Sequence, residues 1–82
     1  MKIFLSSKAD RQLSKLPSKM HEVILSRIEG LMNAPHPTGA VKLKGREGWR
    51  IRLGDYRSLY TVDQKKKEIT VLSVAHRKDA YR

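Results

Sequence analysis

The chain of 82 residues contains no cysteine, which excludes a disulfide framework and any thiolate metal site. A domain this short buries only roughly 60 to 65% of the surface its unfolded chain exposes, so its stability is left to packing, which a bound partner can assist. Long apolar runs are also missing. Ile3, Phe4 and Leu5 form a stretch far shorter than a secretory core and are followed almost at once by charges. No run approaches the roughly 20 residues of a membrane span. The sequence therefore predicts a cytoplasmic protein with no membrane partner. Proline is scarce, three residues, and two of them share one short loop. With no linker and no repeat, residues 1–82 read as a single domain.

Acidic residues are few as well, eight against eighteen Lys and Arg, which leaves a net charge of +10. A field of this sign draws polyanions and speeds their encounter. Seven of the ten net charges fall from Lys42 onward, and arginine dominates the middle of that half. The planar guanidinium fork matches phosphate geometry better than the point charge of lysine does.

The apolar spacing places the elements. Residues 2–5 suit a short strand, and Ser6 and Ser7 can cap a helix. Ala9, Leu13 and Leu16 recur at helical spacing over residues 8–16. Pro17 and Ser18 suit the start of a second helix, with Met20, Val23, Ile24, Ile28, Leu31 and Met32 along one side. An antiparallel helical hairpin follows, closed by the loop from Asn33 to Gly39. Beyond it the period changes to two. Val41 and Leu43 alternate with Lys42 and Lys44, and Ile51 and Leu53 with Arg50 and Arg52, the pattern of half-buried strands. Gly54-Asp55 between Leu53 and Tyr56 has the form of a type II′ hairpin turn. Residues 56–62 and 69–75 continue the alternation, joined by a polar connection over residues 63–68. The fold class is α+β: an N-terminal strand and the helical hairpin cover one face of a twisted, mostly antiparallel sheet, and the arginines occupy the opposite face or its rim.

The residues that carry those charges also carry a resemblance. Leu43-Lys44-Gly45, then Gly48-Trp49-Arg50-Ile51-Arg52-Leu53-Gly54-Asp55-Tyr56-Arg57-Ser58-Leu59-Tyr60, and the ending Val74-Ala75-His76-Arg77-Lys78-Asp79-Ala80-Tyr81 resemble the RelE/ParE superfamily of toxins over essentially the whole chain. The resemblance implies a RelE-like fold and the toxin of a type II toxin-antitoxin system, neutralised by a cognate antitoxin. In the RelE branch it implies an mRNA interferase, an endoribonuclease that cuts messenger RNA in the ribosomal A site, so that mRNA and the ribosome become partners. In the ParE branch a similar fold poisons DNA gyrase and the catalytic residues are generally absent. Matched by position, Arg50 and Arg52 fall on the strand that binds substrate phosphates, with Lys44 and Arg46 beside it. Arg57 matches the arginine after the glycine turn, and Arg77 with Tyr81 the functional pair near the C-terminus.

Chemistry points the same way. RNA cleavage without a metal requires activation of a 2′-hydroxyl, stabilisation of a phosphorane-like transition state and protonation of the departing 5′-oxygen. Arginines supply the electrostatic part, and Arg57 and Arg77 are the expected stabilisers. Histidine is the side-chain type suited to moving a proton near neutral pH, and tyrosine has an ordinary pKa near 10, which brings in His76 and Tyr81. These two are the candidate proton-transfer groups, with acid and base unassigned between them. Asp55, Asp63 and Asp79 read as turn or surface residues, so neither a metal nor another cofactor is expected. Trp49 and Tyr56 read as packing, His21 and His36 suggest no site, and Lys65, Lys66 and Lys67 form a solvated tip able to touch phosphates without regard to sequence. Two other readings stay open: a ParE-like gyrase inhibitor, and a noncatalytic nucleic-acid-binding or inactivated toxin.

Overall fold

The computed structural model describes residues 1–76 and residue 78. β1 (Lys2–Leu5) leads into α1 (Ser7–Ser14), α2 (Ser18–Glu29) and a 3-10 turn (Gly30–Met32), followed by β2 (Val41–Lys42), β3 (Trp49–Leu53), β4 (Tyr56–Asp63) and β5 (Glu68–His76). The five strands form one sheet in the order β1-β5-β4-β3-β2. Three antiparallel steps join β2 to β5, and β1 lies parallel to β5 at one edge. The α+β architecture expected from the sequence is the one observed.

Local chemistry explains the elements. Ser6 caps α1, its Oγ accepting from the Ala9 N–H at 3.0 Å. The helix ends at Ser14, short of the expected Leu16, because Pro17 disfavours helical geometry in the residue before it. Pro17 then stands at the N-cap of α2 with extended ψ of 146°. His21 Nδ1 donates to the Leu13 carbonyl at 2.9 Å and so binds α2 to the open end of α1. The core joins Ala9, Leu13, Ile24, Ile28 and Leu31 of the helical layer to Ile51, Leu53, Tyr60, Ile69, Val71 and Val74 of the sheet. The buried stripe of α2 is narrower than its apolar spacing suggests. Met20, Val23 and Met32 stay exposed: Val23 is turned about 100° from Ile24 around the helix axis, Met20 lies in the first turn, and Met32 falls in the 3-10 turn.

Three features of the sheet position the site. Leu53 pairs with Tyr56, so Gly54 and Asp55 make a two-residue loop. Gly54 takes φ +66° while Asp55 keeps a negative φ, the combination that type II′ requires. Between Leu59 and Tyr60 the β4–β5 register slips: Leu59 opposes Ser73 and Tyr60 opposes Val71, leaving Leu72 as the extra residue of a β-bulge. The loop before β2 is tied down by the buried Tyr60, whose hydroxyl donates to the Pro35 carbonyl at 2.6 Å, and by His36, whose ring lies tilted by 38° against Trp49 at 4.2 Å between centroids.

The alternation of β2 departs from expectation. Val41 pairs with Arg50 and is 45% exposed on the side away from the helices, whereas the sequence pattern placed it inward. The strand is two residues long, and beyond it Leu43 turns toward the backbone at Gly48, where its N–H donates to the Gly48 carbonyl at 3.0 Å. So brief a ladder does not hold four residues to one alternation.

Candidate nucleic-acid interface

The helix-free face of the sheet carries the arginines. Ile51 and Leu53 point into the core, so Arg50 and Arg52 point out. Ser58 and Tyr60 point in, so Arg57 and Leu59 point out. Pairing completes the geometry: Arg50 lies opposite Leu59, and Arg52 directly opposite Arg57. Two guanidinium groups facing each other across a ladder are placed to donate to the same anion. Arg52 is oriented by its own turn, with Nε donating to the Gly54 carbonyl at 3.1 Å, while Arg57 is half-buried. Gly39, Val41, Arg50, Ile51, Arg52 and Arg57 line a shallow depression of about 210 Å³. Three guanidinium groups around one open concavity can clamp a phosphate and stabilise charge that develops on its nonbridging oxygens.

The other candidate residues divide. Lys44 and Arg46 are exposed in the loop before β3, at the far end of that strand from the Gly54 turn, and they do not line the depression. Arg77 and Tyr81 lie outside the described residues. His76 is not brought to the arginines. It pairs with Tyr56, whereas its neighbour Ala75 pairs with Arg57, and its ring meets the Tyr56 ring edge to face at 5.3 Å. Regular alternation from the buried Ile69 and Val71 would have turned His76 outward; the bulge at Leu72 shifts the phase by one residue and turns Val74 and His76 toward the helix side. His76 Nδ1 also accepts from the Lys78 N–H at 3.2 Å, which engages the lone pair of that nitrogen.

Several contributors were not read from the sequence. Val41 and Gly39 shape the depression, and Tyr60 anchors the loop that brings them there. Only the glycine gave a local signal, since Gly39 has φ +97°. At the opposite end of the sheet the β4–β5 tip is organised by Asp63, whose Oδ1 accepts from the N–H groups of Lys65 and Lys66, each at 3.0 Å. Lys67 completes the turn with φ +57°. The three lysines are exposed. Among the described residues no three His, Asp or Glu side chains come together as a metal site, and no helix is long and apolar enough to cross a membrane.

Comparison with known proteins assigns this arrangement to a family. The model of the ParE toxin of type II toxin-antitoxin systems matches residues 3–81. The toxin RelE of Mycobacterium tuberculosis is 30% identical over 82 residues, covering 98% of this chain and 84% of that protein. Among solved structures, the archaeal RelE-RelB complex of Pyrococcus horikoshii contains a chain that superposes with a TM-score of 0.82 at 28% identity, covering 95% of this chain and 96% of that one. The toxin-antitoxin complex RelBE2 of M. tuberculosis gives a TM-score of 0.81 at 25% identity, with 93% and 96% covered. Family model, sequence relative and fold agree: the chain belongs to the RelE/ParE superfamily and is a toxin of a type II toxin-antitoxin system.

Proposed function

We propose that this toxin is a metal-independent endoribonuclease that cleaves messenger RNA in the ribosomal A site, and that a cognate antitoxin silences it. The observation that carries the reading is the opposition of Arg52 and Arg57 across the Gly54-Asp55 turn, with Arg50 on the same face. A 2′-oxygen attacks the adjacent phosphorus, the bond from phosphorus to the 5′-oxygen breaks, and the proton lost by the 2′-hydroxyl is balanced by one delivered to the leaving oxygen. Arg57 stabilises the phosphorane-like charge, while Arg50 and Arg52 hold the strand. Arg77 as a second stabiliser and Tyr81 as a proton-transfer group complete the proposal on sequence grounds. His76 falls out of the first rank, because its ring lies with Tyr56.

The antitoxin follows from the same surface. Phe4 and Val41 are exposed large apolar residues, and both share the outward side with the arginines. An acidic, partly apolar segment would neutralise that face and stabilise the fold by mass action. The RelE of Pyrococcus horikoshii was solved in a complex with RelB, and the relative from M. tuberculosis in the toxin-antitoxin complex RelBE2.

The family model carries the ParE name, so gyrase inhibition is the reading to test against. Expression of the wild type and of Arg57→Ala, with message integrity and gyrase supercoiling assayed in parallel, separates the two. Cut messages and active gyrase, both dependent on Arg57, support the ribonuclease. Intact messages with inhibited gyrase overturn it.

A further inference from the structure

β1 ends at Leu5, yet β5 runs on to His76, so the last part of β5 has no β1 residue beside it. α1 takes over. The Ser6 N–H donates to the Val71 carbonyl at 2.9 Å, and the Ser6 Oγ donates to the Leu72 carbonyl at 2.8 Å while accepting from Ala9. Nearly two turns further along α1, Gln12 Oε1 accepts from the Val74 N–H at 2.7 Å. These three backbone groups bracket the bulge, where an unpaired donor or acceptor costs about 1 to 3 kcal/mol. Val74 is 3% exposed, which leaves its N–H little access to water in place of Gln12.

The bulge sets which residues of β5 share the arginine face. With Leu72 inserted, Ala75 lies opposite Arg57; without the insertion, Ala75 would point into the core and its neighbours outward. We infer that Gln12, assisted by Ser6, is a positioning residue for the arginine site. Its side-chain amide, 62 residues from its partner in sequence, locks the phase of the strand against which Arg57 is seated. Gln12 touches no substrate in this arrangement, and its effect on the site runs through the Val74 N–H. The inference rests on the ribonuclease reading for what the site does.

Gln12→Met keeps the side-chain length and removes the acceptor, whereas Gln12→Glu keeps an acceptor oxygen. Leu13→Val, a core change on the same helix, serves as the stability control. In Gln12→Met the Val74 amide is expected to exchange about tenfold faster. Its kcat on messenger RNA held in the ribosomal A site falls about tenfold with KM within about twofold, since misplacement of a reacting geometry acts on the chemical step. Gln12→Glu restores both to within about threefold, and Leu13→Val lowers Tm without lowering kcat. An unchanged kcat in Gln12→Met, or an equal loss in Leu13→Val, overturns the inference. If the wild type cleaves no RNA, the ribonuclease reading falls, and the Val74 exchange together with the Arg57 Nε–H resonance decides the positioning role. Both unchanged in Gln12→Met would refute it.

Discussion

Arg52 and Arg57 are placed by a turn of two residues, and that makes their meeting a property of the sequence. Once Gly54-Asp55 is read as a II′ turn, Leu53 must face Tyr56 and Arg52 must face Arg57, as observed. With Arg50 they line one depression, where their guanidinium groups can donate together to a single anion. Inorganic phosphate, compared with chloride at equal ionic strength, is therefore expected to raise Tm by about 2 to 5 °C through preferential binding to the folded state. The increment should vanish in the Arg52→Gln, Arg57→Ala double variant. Persistence of the full increment would place the anion elsewhere. Tyr60 offers a second residue-scale check. Burial raises its pKa above the usual 10.0, so the folded state holds the phenolic proton more tightly than the unfolded state does. The associated stability is complete below pH 10 and is lost as pH rises through the folded value. Alkaline unfolding should thus steepen above pH 10 in the wild type and flatten in Tyr60→Phe. At neutral pH the same variant loses the bond to Pro35, about 1 kcal/mol. His76 shows where residue-level reading stopped: its face depends on a single inserted residue that no composition or spacing marks.

At the level of elements, the helices and the last three strands were legible because each carries an apolar period of its own. The parallel pairing of β1 with β5 was not, since a strand of four residues has no signal that names its neighbour. β2 was misread for a related reason: two paired residues cannot impose an alternation on Leu43 and Lys44. The turn into β3 shows how tight the local fit is. Gly48 has φ +129°, and a Cβ there would lie 3.1 Å from Leu43 Cδ1 and 3.2 Å from the Tyr60 carbonyl oxygen. Neither the left-handed backbone nor the Tyr60 carbonyl yields cheaply. Gly48→Ala is expected to destabilise the fold by about 1 to 3 kcal/mol, measurable as a lowered denaturant midpoint at unchanged m-value. A neutral outcome would mean that β2 and its loop pack independently of the sheet.

For the whole molecule, a charge of +10 said only that a polyanion was wanted. The fold distributes that charge unequally. The arginines gather at the Gly54 end of the sheet, and the lysine tip stands at the other end of β4, a strand of eight residues that spans about 25 Å. The two ends should behave differently toward RNA. Replacing Lys65, Lys66 and Lys67 together by Gln is expected to weaken ribosome or RNA binding and to reduce the salt slope of log K by about 2 to 3, with cleavage of bound RNA retained. An unchanged slope would mark the tip as solvent-facing only. The basic face and its sheet were thus readable in the sequence, whereas the helix-borne groups that steady it were not, because Gln12 and Ser6 act across the chain on backbone groups that a sequence does not mark.

The chemistry of the cut ends tests the central claim most directly. RNA exposed to the wild-type toxin on translating ribosomes is predicted to carry 5′-hydroxyl ends and 2′,3′-cyclic or 3′-phosphate ends. In Arg57→Ala these ends should diminish on the order of 10² to 10³-fold, the loss typical of removing one transition-state donor. Ends bearing a 5′-phosphate, or cleavage indifferent to Arg57, would contradict the account.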